Sequence, residues 1–422
     1  MSEKDEKKFR VLVTTLGRSH FIQVATSLVR AGVDATLFQG WIVKKPRESL
    51  LLKIAAKIVG RQSLIYGFEK RMTPELEGRV LGDFFSEFID TIGKMVLGRI
   101  GRKAWNLAVK LGFHSHGFRT RRLFRKKQYD VFHVRSGFGA GGAIEAARKV
   151  GVKILVDHSA GSPQFVVETV DGREWGRWSF WWTVMQDCLK ADLLMVDCDW
   201  VKETFLMYGY PEEKIRVVYM GLDLKFNGLK KWGESLEGIG RSPENPLRVV
   251  FTGGFAYHKG NEYFLGAVER LLDSGKCFLF KAIGSYNVTD EQRKRYPRAV
   301  AAIEFKGHLP QDEMCRLMLD SQVYLFPSLS EGCAKSAYEA LSMGLCVVCT
   351  KETGLPMTDG KEGFLIKSRD VDSIVERLLW LVDNPLEMRR AGQAGTELMK
   401  GYTWEAYAEN VKKVYGELVA SR

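Results

Sequence analysis

Short apolar runs recur between helix-length segments along most of this chain, and that rhythm constrains its fold more than any other feature. Val11-Leu-Val-Thr-Thr15 precedes a helical segment near 20–32 and the run Ala35-Thr-Leu-Phe38. Asp130-Val-Phe-His-Val134, a helix near 139–149, Lys153-Ile-Leu-Val-Asp157, a long helix near 177–190, Asp192-Leu-Leu-Met-Val196 and Ile215-Arg-Val-Val218 continue it. Asp223 to Pro246 is polar, rich in Gly and Pro and without a period, which predicts a linker. The rhythm then resumes through Leu247-Arg-Val-Val-Phe-Thr252, Phe278-Leu-Phe-Lys281, Ala302-Ile-Glu-Phe305, Val323-Tyr-Leu-Phe326 and Cys346-Val-Val-Cys349. Such alternation predicts parallel sheets covered by helices on both faces. The expected α/β fold is a pair of Rossmann-like, doubly wound domains facing a central cleft. Their expected limits are 1–235, with a basic helical insertion at about 44–127, and 236–403. Residues 404–422 are expected to form a closing helix whose Tyr407, Val411 and Tyr415 stripe packs back on the body.

A length of 422 residues allows two or three domains. At 45% hydrophobic and 27% charged, the composition excludes a disordered chain, a collagen-like fibre and a small disulfide scaffold. No uncharged apolar run approaches the roughly 18 residues of a membrane span. The opening Met1-Ser-Glu-Lys-Asp-Glu-Lys-Lys-Phe-Arg10 is too charged for a signal peptide, so a cytoplasmic location is expected, with peripheral attachment to the inner face of the membrane. Of the seven cysteines, Cys346 and Cys349 form the one close pair, inside an apolar run; buried strand thiols are expected, and no metal site.

Charge is distributed unevenly. Between Lys94 and Lys127 stand eleven cations and no acid, which accounts for nearly all of the net charge of +12. In Ser49 to Arg61, Lys53, Lys57 and Arg61 recur every four residues along a helix that is otherwise largely apolar. A basic amphipathic helix of this kind docks on anionic lipid, or packs on the core with a solvated stripe. The expected anionic membrane contacts are Lys53, Lys57, Arg61, Arg119, Arg121, Arg122 and Arg125. Neither segment has zinc-finger spacing or an RNA-binding aromatic pattern, so nucleic acid is not the expected partner.

Chemistry concentrates in Phe326-Pro-Ser-Leu-Ser-Glu-Gly-Cys-Ala-Lys-Ser-Ala-Tyr-Glu-Ala340. Glu331 follows the carboxyl end of a strand, the edge where open α/β sheets bind ligands. A helix starting near Ala334 would aim the N–H groups of Ala334 and Lys335, with its positive dipole end, at a phosphate. Glu339, a turn further in, can accept from two adjacent ribose hydroxyls, and Glu331 from those of a sugar ring. Two carboxylates beside a diphosphate need a cation, and Lys259 in Phe251-Thr-Gly-Gly-Phe-Ala-Tyr-His-Lys-Gly260 supplies it. Gly253 and Gly254 allow the backbone to come close. Trp175, Trp178 and Trp182 share a helical face, either as core or interdomain packing or as a platform for sugar or lipid.

On these motifs the second half resembles the retaining nucleotide-sugar glycosyltransferases of family 4, which have the GT-B fold. Glu331-x7-Glu339 is similar to their paired-glutamate signature and Gly253 to Gly260 to their phosphate loop. Ala191 to Asp197, Pro211 to Asp223, Asp359 to Ile366 and Tyr402-Thr-Trp-Glu405 also fit, so the likeness covers about 190–420 and is looser before that. The resemblance implies a donor held mainly by the C-terminal domain, no metal or other cofactor, and retention at the sugar. It implies that Lys259 contacts the donor phosphates, Glu331 the transferred sugar and Glu339 the ribose, with Gly253, Gly254, Gly332, Ala334 and Lys335 around the donor. His158, in Leu155-Val-Asp-His-Ser159, takes the place of a histidine facing the donor sugar, and Gly17 that of a residue near the phosphates. His158, Glu331 and Lys259 are thus the expected catalytic residues. The chain departs from the pattern at Gly254, where the family carries Arg, and in Glu331-Gly-Cys-Ala-Lys335; Lys335 is expected to restore the missing cation.

The function expected is transfer of a sugar from a nucleotide-diphosphate sugar to a hydroxyl on a lipid-linked or anionic glycan acceptor, in envelope, exopolysaccharide or glycolipid assembly. Two alternatives stand beside it: a transferase with a soluble acceptor, and a non-catalytic nucleic-acid-binding or scaffold protein on the same fold.

Overall fold

The structure, a computed structural model, describes residues 9–420 except 18, 19, 44, 51, 54–56, 58–64, 66, 67, 70, 126, 127, 234 and 235. Two wholly parallel sheets form its frame. The first runs β1 (Arg10–Thr14), β2 (Asp34–Gln39), β3 (Val80–Gly82), β4 (Val131–Arg135), β5 (Lys153–His158), β6 (Leu193–Val196) and β7 (Ile215–Val217), in the spatial order β3-β2-β1-β4-β5-β6-β7. The second runs β8 (Leu247–Thr252), β9 (Phe278–Ile283), β10 (Ile303–Gly307), β11 (Val323–Phe326), β12 (Cys346–Thr350) and β13 (Phe364–Ile366), ordered β10-β9-β8-β11-β12-β13. Winding direction reverses between β1 and β4 and again between β8 and β11. Such reversals open a crevice at the carboxyl ends of the strands.

Side-chain alternation explains why the strands are apolar throughout. Leu12, Phe132, Ile154 and Leu194 pack on one face of the first sheet, while Val11, Val13, Val131 and Leu155 pack on the other. The C-terminal helix Trp404–Ala420 returns to that second face and buries Tyr407, Val411, Tyr415 and Leu418 there. Its Tyr415 hydroxyl lies 2.7 Å from His133 Nδ1. Cys346 and Cys349 are fully buried in β12.

Several expectations change. The stretch expected as a linker after residue 223 packs on the second sheet's domain: Leu236 and Ile239 are buried, Lys230 Nζ donates to the Leu319 carbonyl (2.6 Å) and Trp232 Nε1 to that of Gly344 (3.1 Å). The helix expected near 177 begins at Phe180, capped by Ser179, so Trp175 and Trp178 precede it and the shared tryptophan face does not form. Trp175 still meets Trp182, with ring centroids 5.6 Å apart, whereas Trp178 is 87% exposed.

The basic insertion contains two helices packed antiparallel along their length, Phe84–Leu97 and Arg102–Thr120. Asp83 pins their base: it accepts from the Ser86 N–H (3.2 Å), and its carboxylate lies 2.8 Å from both His116 Nδ1 and Arg119 Nε. The cationic run therefore has acids from elsewhere in the chain against it, with Lys94 on Asp90 and Arg102 on Asp171, both at 2.7 Å. Arg119, an expected membrane contact, is committed to Asp83. Arg121 and Arg122 lie over the Phe118 ring, and Arg125 is exposed. Lys53 and Lys57 are exposed; Arg61, Lys126 and Lys127 lie outside the described residues.

Candidate active site

The loops that leave β8 and β11 at the second reversal are stitched together. Gly253 has φ +111° and Gly260 has φ +77°, conformations that L side chains rarely adopt. A Cβ at Gly260 would sit 1.8 Å from the Pro327 carbonyl oxygen, so the loops touch backbone to backbone. Leu329 N–H and Ser328 Oγ both donate to the His258 carbonyl, at 2.8 and 2.9 Å. This closeness carries Lys259 to Glu331: Nζ lies 2.5 Å from Oε1, and Ser328 Oγ lies 3.3 Å from the same oxygen. Gly254 is open, since a Cβ there would meet only Ser285 Oγ, at 3.6 Å.

The helix Lys335–Met343 starts beside this pair. Its expected pair of free N–H groups is corrected at one position: Ala334 N–H donates to the Thr353 carbonyl at 3.3 Å. The N–H groups of Lys335 and Ser336 have no backbone partner among the described residues. Beneath them a hydroxyl chain joins the elements, from Thr252 Oγ1 to Tyr324 OH (3.0 Å) to Ser336 Oγ (2.8 Å). Burial raises the Tyr324 phenol's pKa, and the charges of Glu339 and Glu331 add to that shift. Glu339 is 6% exposed and accepts from Gln311 Nε2 at 3.1 Å, with Lys335 Nζ 3.8 Å from the same oxygen. Its burial outweighs these partners and pushes its carboxyl above the usual range.

The first sheet supplies the opposite wall. A Cβ on Gly332 would lie 2.3 Å from the Ser159 carbonyl carbon and oxygen, and one on Gly161 would lie 3.1 Å from Ser330 Oγ. Lys351 and Glu203 add an ion pair across the same seam, at 2.6 Å. His158 is buried here with both ring nitrogens occupied: Nδ1 lies 2.8 Å from Ser136 Oγ and Nε2 lies 3.1 Å from the Gly161 carbonyl. The carbonyl fixes the proton on Nε2, and burial lowers the imidazole's pKa to about 4, so the ring is neutral. A sugar hydroxyl would reach Nε2 only by replacing Gly161. Gly17 (φ +73°) lies beyond β1, where its Cβ would be 3.8 Å from Glu87 Oε1; Arg71 neutralises that carboxylate from 2.6 Å. The structure thus brings Lys259, Glu331, Gly253, Gly254, Gly332, Lys335 and Glu339 to one sheet edge, with His158 on the facing wall.

Sequence reasoning missed the ground behind His158. A cavity of about 290 Å³ opens there between Trp105, Phe113, Phe138, Phe180 and Trp181, with Arg135, Ser136 and Ser159 at its polar end. Burial pulls the Arg135 guanidinium down while Asp157 and Asp197 oppose it; burial and Asp157 push Asp197 well up. The signal for Arg135 was legible: it is a cation one residue past the apolar run ending at Val134.

Two families match the chain in turn: Glycosyltransferase Family 4 over residues 87–226 and Glycosyl transferases group 1 over residues 246–384. An uncharacterized glycosyltransferase of Methanocaldococcus jannaschii is 28% identical over 177 residues, 40% of this chain and 48% of its own. A putative colanic acid biosynthesis glycosyltransferase of Escherichia coli is 25% identical over 201 residues, 45% and 47% of the two chains. The chain spans about half the length of these curated relatives. A glycosyltransferase from Rickettsia africae superposes with a TM-score of 0.62 at 14% identity, covering 99% of this chain and 100% of that one. An Anabaena protein solved with UDP-glucose gives a TM-score of 0.60 at 12% identity, covering 97% and 100%. The fold is therefore GT-B, and each half of the chain carries a glycosyltransferase domain.

Proposed function

We propose that the protein is a retaining glycosyltransferase of family 4 type that moves a sugar from a nucleotide-diphosphate sugar to an acceptor hydroxyl. One observation carries this reading: the Lys259–Glu331 pair beside the open start of the helix at Lys335. An ammonium has three N–H donors, so Lys259 can hold Glu331 and still meet phosphate oxygens. Together with the N–H groups of Lys335 and Ser336 it would stabilise the charge that builds on the diphosphate as the glycosidic bond breaks. Glu331 would accept from hydroxyls of the transferred sugar and Glu339 from those of the ribose. His158, whose Nε2 proton would have to leave the Gly161 carbonyl to reach a hydroxyl, would face that sugar from the opposite wall, Gly17 would lie toward the phosphates, and Lys335 would supply the cation that Gly254 lacks. These roles call for no metal, and activity that survives EDTA is the expected result.

The acceptor we propose is lipid-linked or an anionic glycan, as suits envelope polysaccharide or glycolipid assembly; the E. coli relative is named for colanic acid biosynthesis. The exposed cations Lys53, Lys57, Arg121, Arg122 and Arg125 would meet an anionic membrane, and no helix among the described residues is long and apolar enough to cross one. A domain organisation of 1–235, 236–403 and a closing helix over 404–422 goes with this reading. Incubation with a panel of nucleotide sugars, followed by NMR of the released or transferred sugar, tests it. Retained anomeric configuration supports the proposal, and inversion overturns it.

A further inference from the structure

The helix Phe84–Leu97 is turned inside out. Phe84, Phe85, Phe88, Ile92, Met95 and Val96 form one stripe along it and are 37–55% exposed. Its acids point inward instead: Glu87 is held by Arg71 and Asp90 by Lys94, and their side chains are only 15% and 17% exposed. The arrangement is fixed by packing, because Gly93 and Gly112 bring the two antiparallel helices into contact. A Cβ on Gly93 would lie 3.2 Å from that of Ala108, and one on Gly112 would lie 2.6 Å from Asp90 Oδ1. Ile100, 72% exposed, extends the apolar stripe into the turn between the helices. A contiguous apolar face on a soluble protein marks a surface that something covers.

We infer that this helix is an interfacial anchor, its outer stripe seated among the headgroups and upper acyl chains of an anionic bilayer. Charge identifies the occupant. From Phe84 to Arg125 the chain carries nine cations and two inward-facing acids; Lys94, Arg102 and Arg119 are paired with Asp90, Asp171 and Asp83, and the other six have no ion pair among the described residues. Arg99 and Lys103 flank Ile100 at the turn, and all three are exposed. Arg121, Arg122 and Arg125 follow the second helix, also exposed. An apolar stripe bordered by cations that have no ion pair among the described residues matches the acyl boundary and phosphates of a lipid surface. A second copy of this chain would bring cations against cations. The inward side of the same helix pair, through Asp90, Lys94, Trp105 and Phe113, lines the cavity behind His158. Seating the stripe in a bilayer would therefore place the mouth of that cavity near the lipid. The inference deepens the membrane partner proposed above and replaces the 49–61 segment with the 84–97 helix as the inserting element.

Co-sedimentation of the full chain with phosphatidylglycerol–phosphatidylcholine vesicles tests it. Phe88→Ser/Ile92→Ser/Met95→Ser is expected to lower partitioning at least tenfold while leaving the melting temperature and nucleotide-diphosphate affinity unchanged. Arg121→Gln/Arg122→Gln/Arg125→Gln is expected to remove the preference for anionic over pure phosphatidylcholine vesicles. If the triple serine variant misfolds, Ile92→Glu, a single exposed position, gives the same reading. Unchanged vesicle binding by a folded stripe variant overturns the anchor. So does a solution dimer that the stripe variant dissolves, with no vesicle binding by the parent. Vesicle binding without any nucleotide-sugar binding leaves the anchor standing and defeats the enzymatic reading alone.

Discussion

Replacing Lys259 with alanine isolates the contact on which donor binding rests. Its amine lies 2.5 Å from Glu331 Oε1, and the two side chains are 22% and 14% exposed. Breaking a fully buried pair costs about 3–5 kcal/mol, and an exposed pair contributes about 0–1. This pair lies between those limits, so Lys259→Ala should lower stability by about 1–2 kcal/mol. Donor affinity should fall further, because the variant loses a charge-assisted hydrogen bond to phosphate, worth about 1.5–3 kcal/mol. That corresponds to a Kd roughly ten- to 150-fold weaker. Adding Glu331→Gln separates the two effects: removing the uncompensated carboxylate should restore the melting temperature but not the affinity. Calorimetric titration with the preferred nucleoside diphosphate, paired with thermal melts, reads both. A folded Lys259→Ala protein that binds the diphosphate as tightly as the parent would refute the reasoning.

Four further outcomes follow from the geometry. Glu339 is ionised at a cost set by its burial, a cost relieved as pH falls through its raised pKa. Glu339→Gln should therefore keep or raise the melting temperature at neutral pH while weakening nucleoside-diphosphate binding about tenfold, the loss of roughly one charged hydrogen bond. His158 takes its proton near pH 6.5 when unfolded but only near 4 when folded, so stability from this group is complete above 6.5 and falls as pH drops toward 4. The loss is on the order of 3 kcal/mol, and melts of His158→Gln across pH 7 to 4 should show a flatter profile than the parent. Gly332→Ala drives a methyl group into the Ser159 backbone and should cost about 1–3 kcal/mol in chemical denaturation. Lys335→Ala should weaken diphosphate binding by about 1.5 kcal/mol, the low end of the charged range, because its side chain is 62% exposed; unaltered affinity removes Lys335 from the site.

The frame was legible because a buried parallel strand must be apolar on both faces, and eleven of the thirteen strands stand out as such runs. The other two, Val80–Gly82 and Phe364–Ile366, are three-residue edge strands; Ile215–Val217 is as short and also at an edge, but Val218 lengthens its apolar run enough to register. The juxtaposition of Lys259 with Glu331 was legible in kind, since both follow strands that a doubly wound sheet makes neighbours. The Ala334 N–H was not: whether a helix-start donor is free depends on where Thr353 returns, 19 residues later. Nor was the orientation of Phe84–Leu97. Its apolar stripe has the same spacing whether it faces the core or the solvent. Only the inward pairing of Glu87 with Arg71 and of Asp90 with Lys94 settles which face is out.

Thermal-shift titration of the full chain with nucleotide-diphosphate sugars bears most directly on whether the edge at Lys259, Glu331 and Glu339 is a donor site. A ligand that binds only the folded chain adds about 2.7 kcal/mol at a hundred times its Kd. At least one nucleotide sugar should raise the melting temperature in that concentration-dependent way in the parent, and much less in Lys259→Ala. Melting temperatures that no nucleotide sugar moves, or that move equally in both proteins, would contradict it.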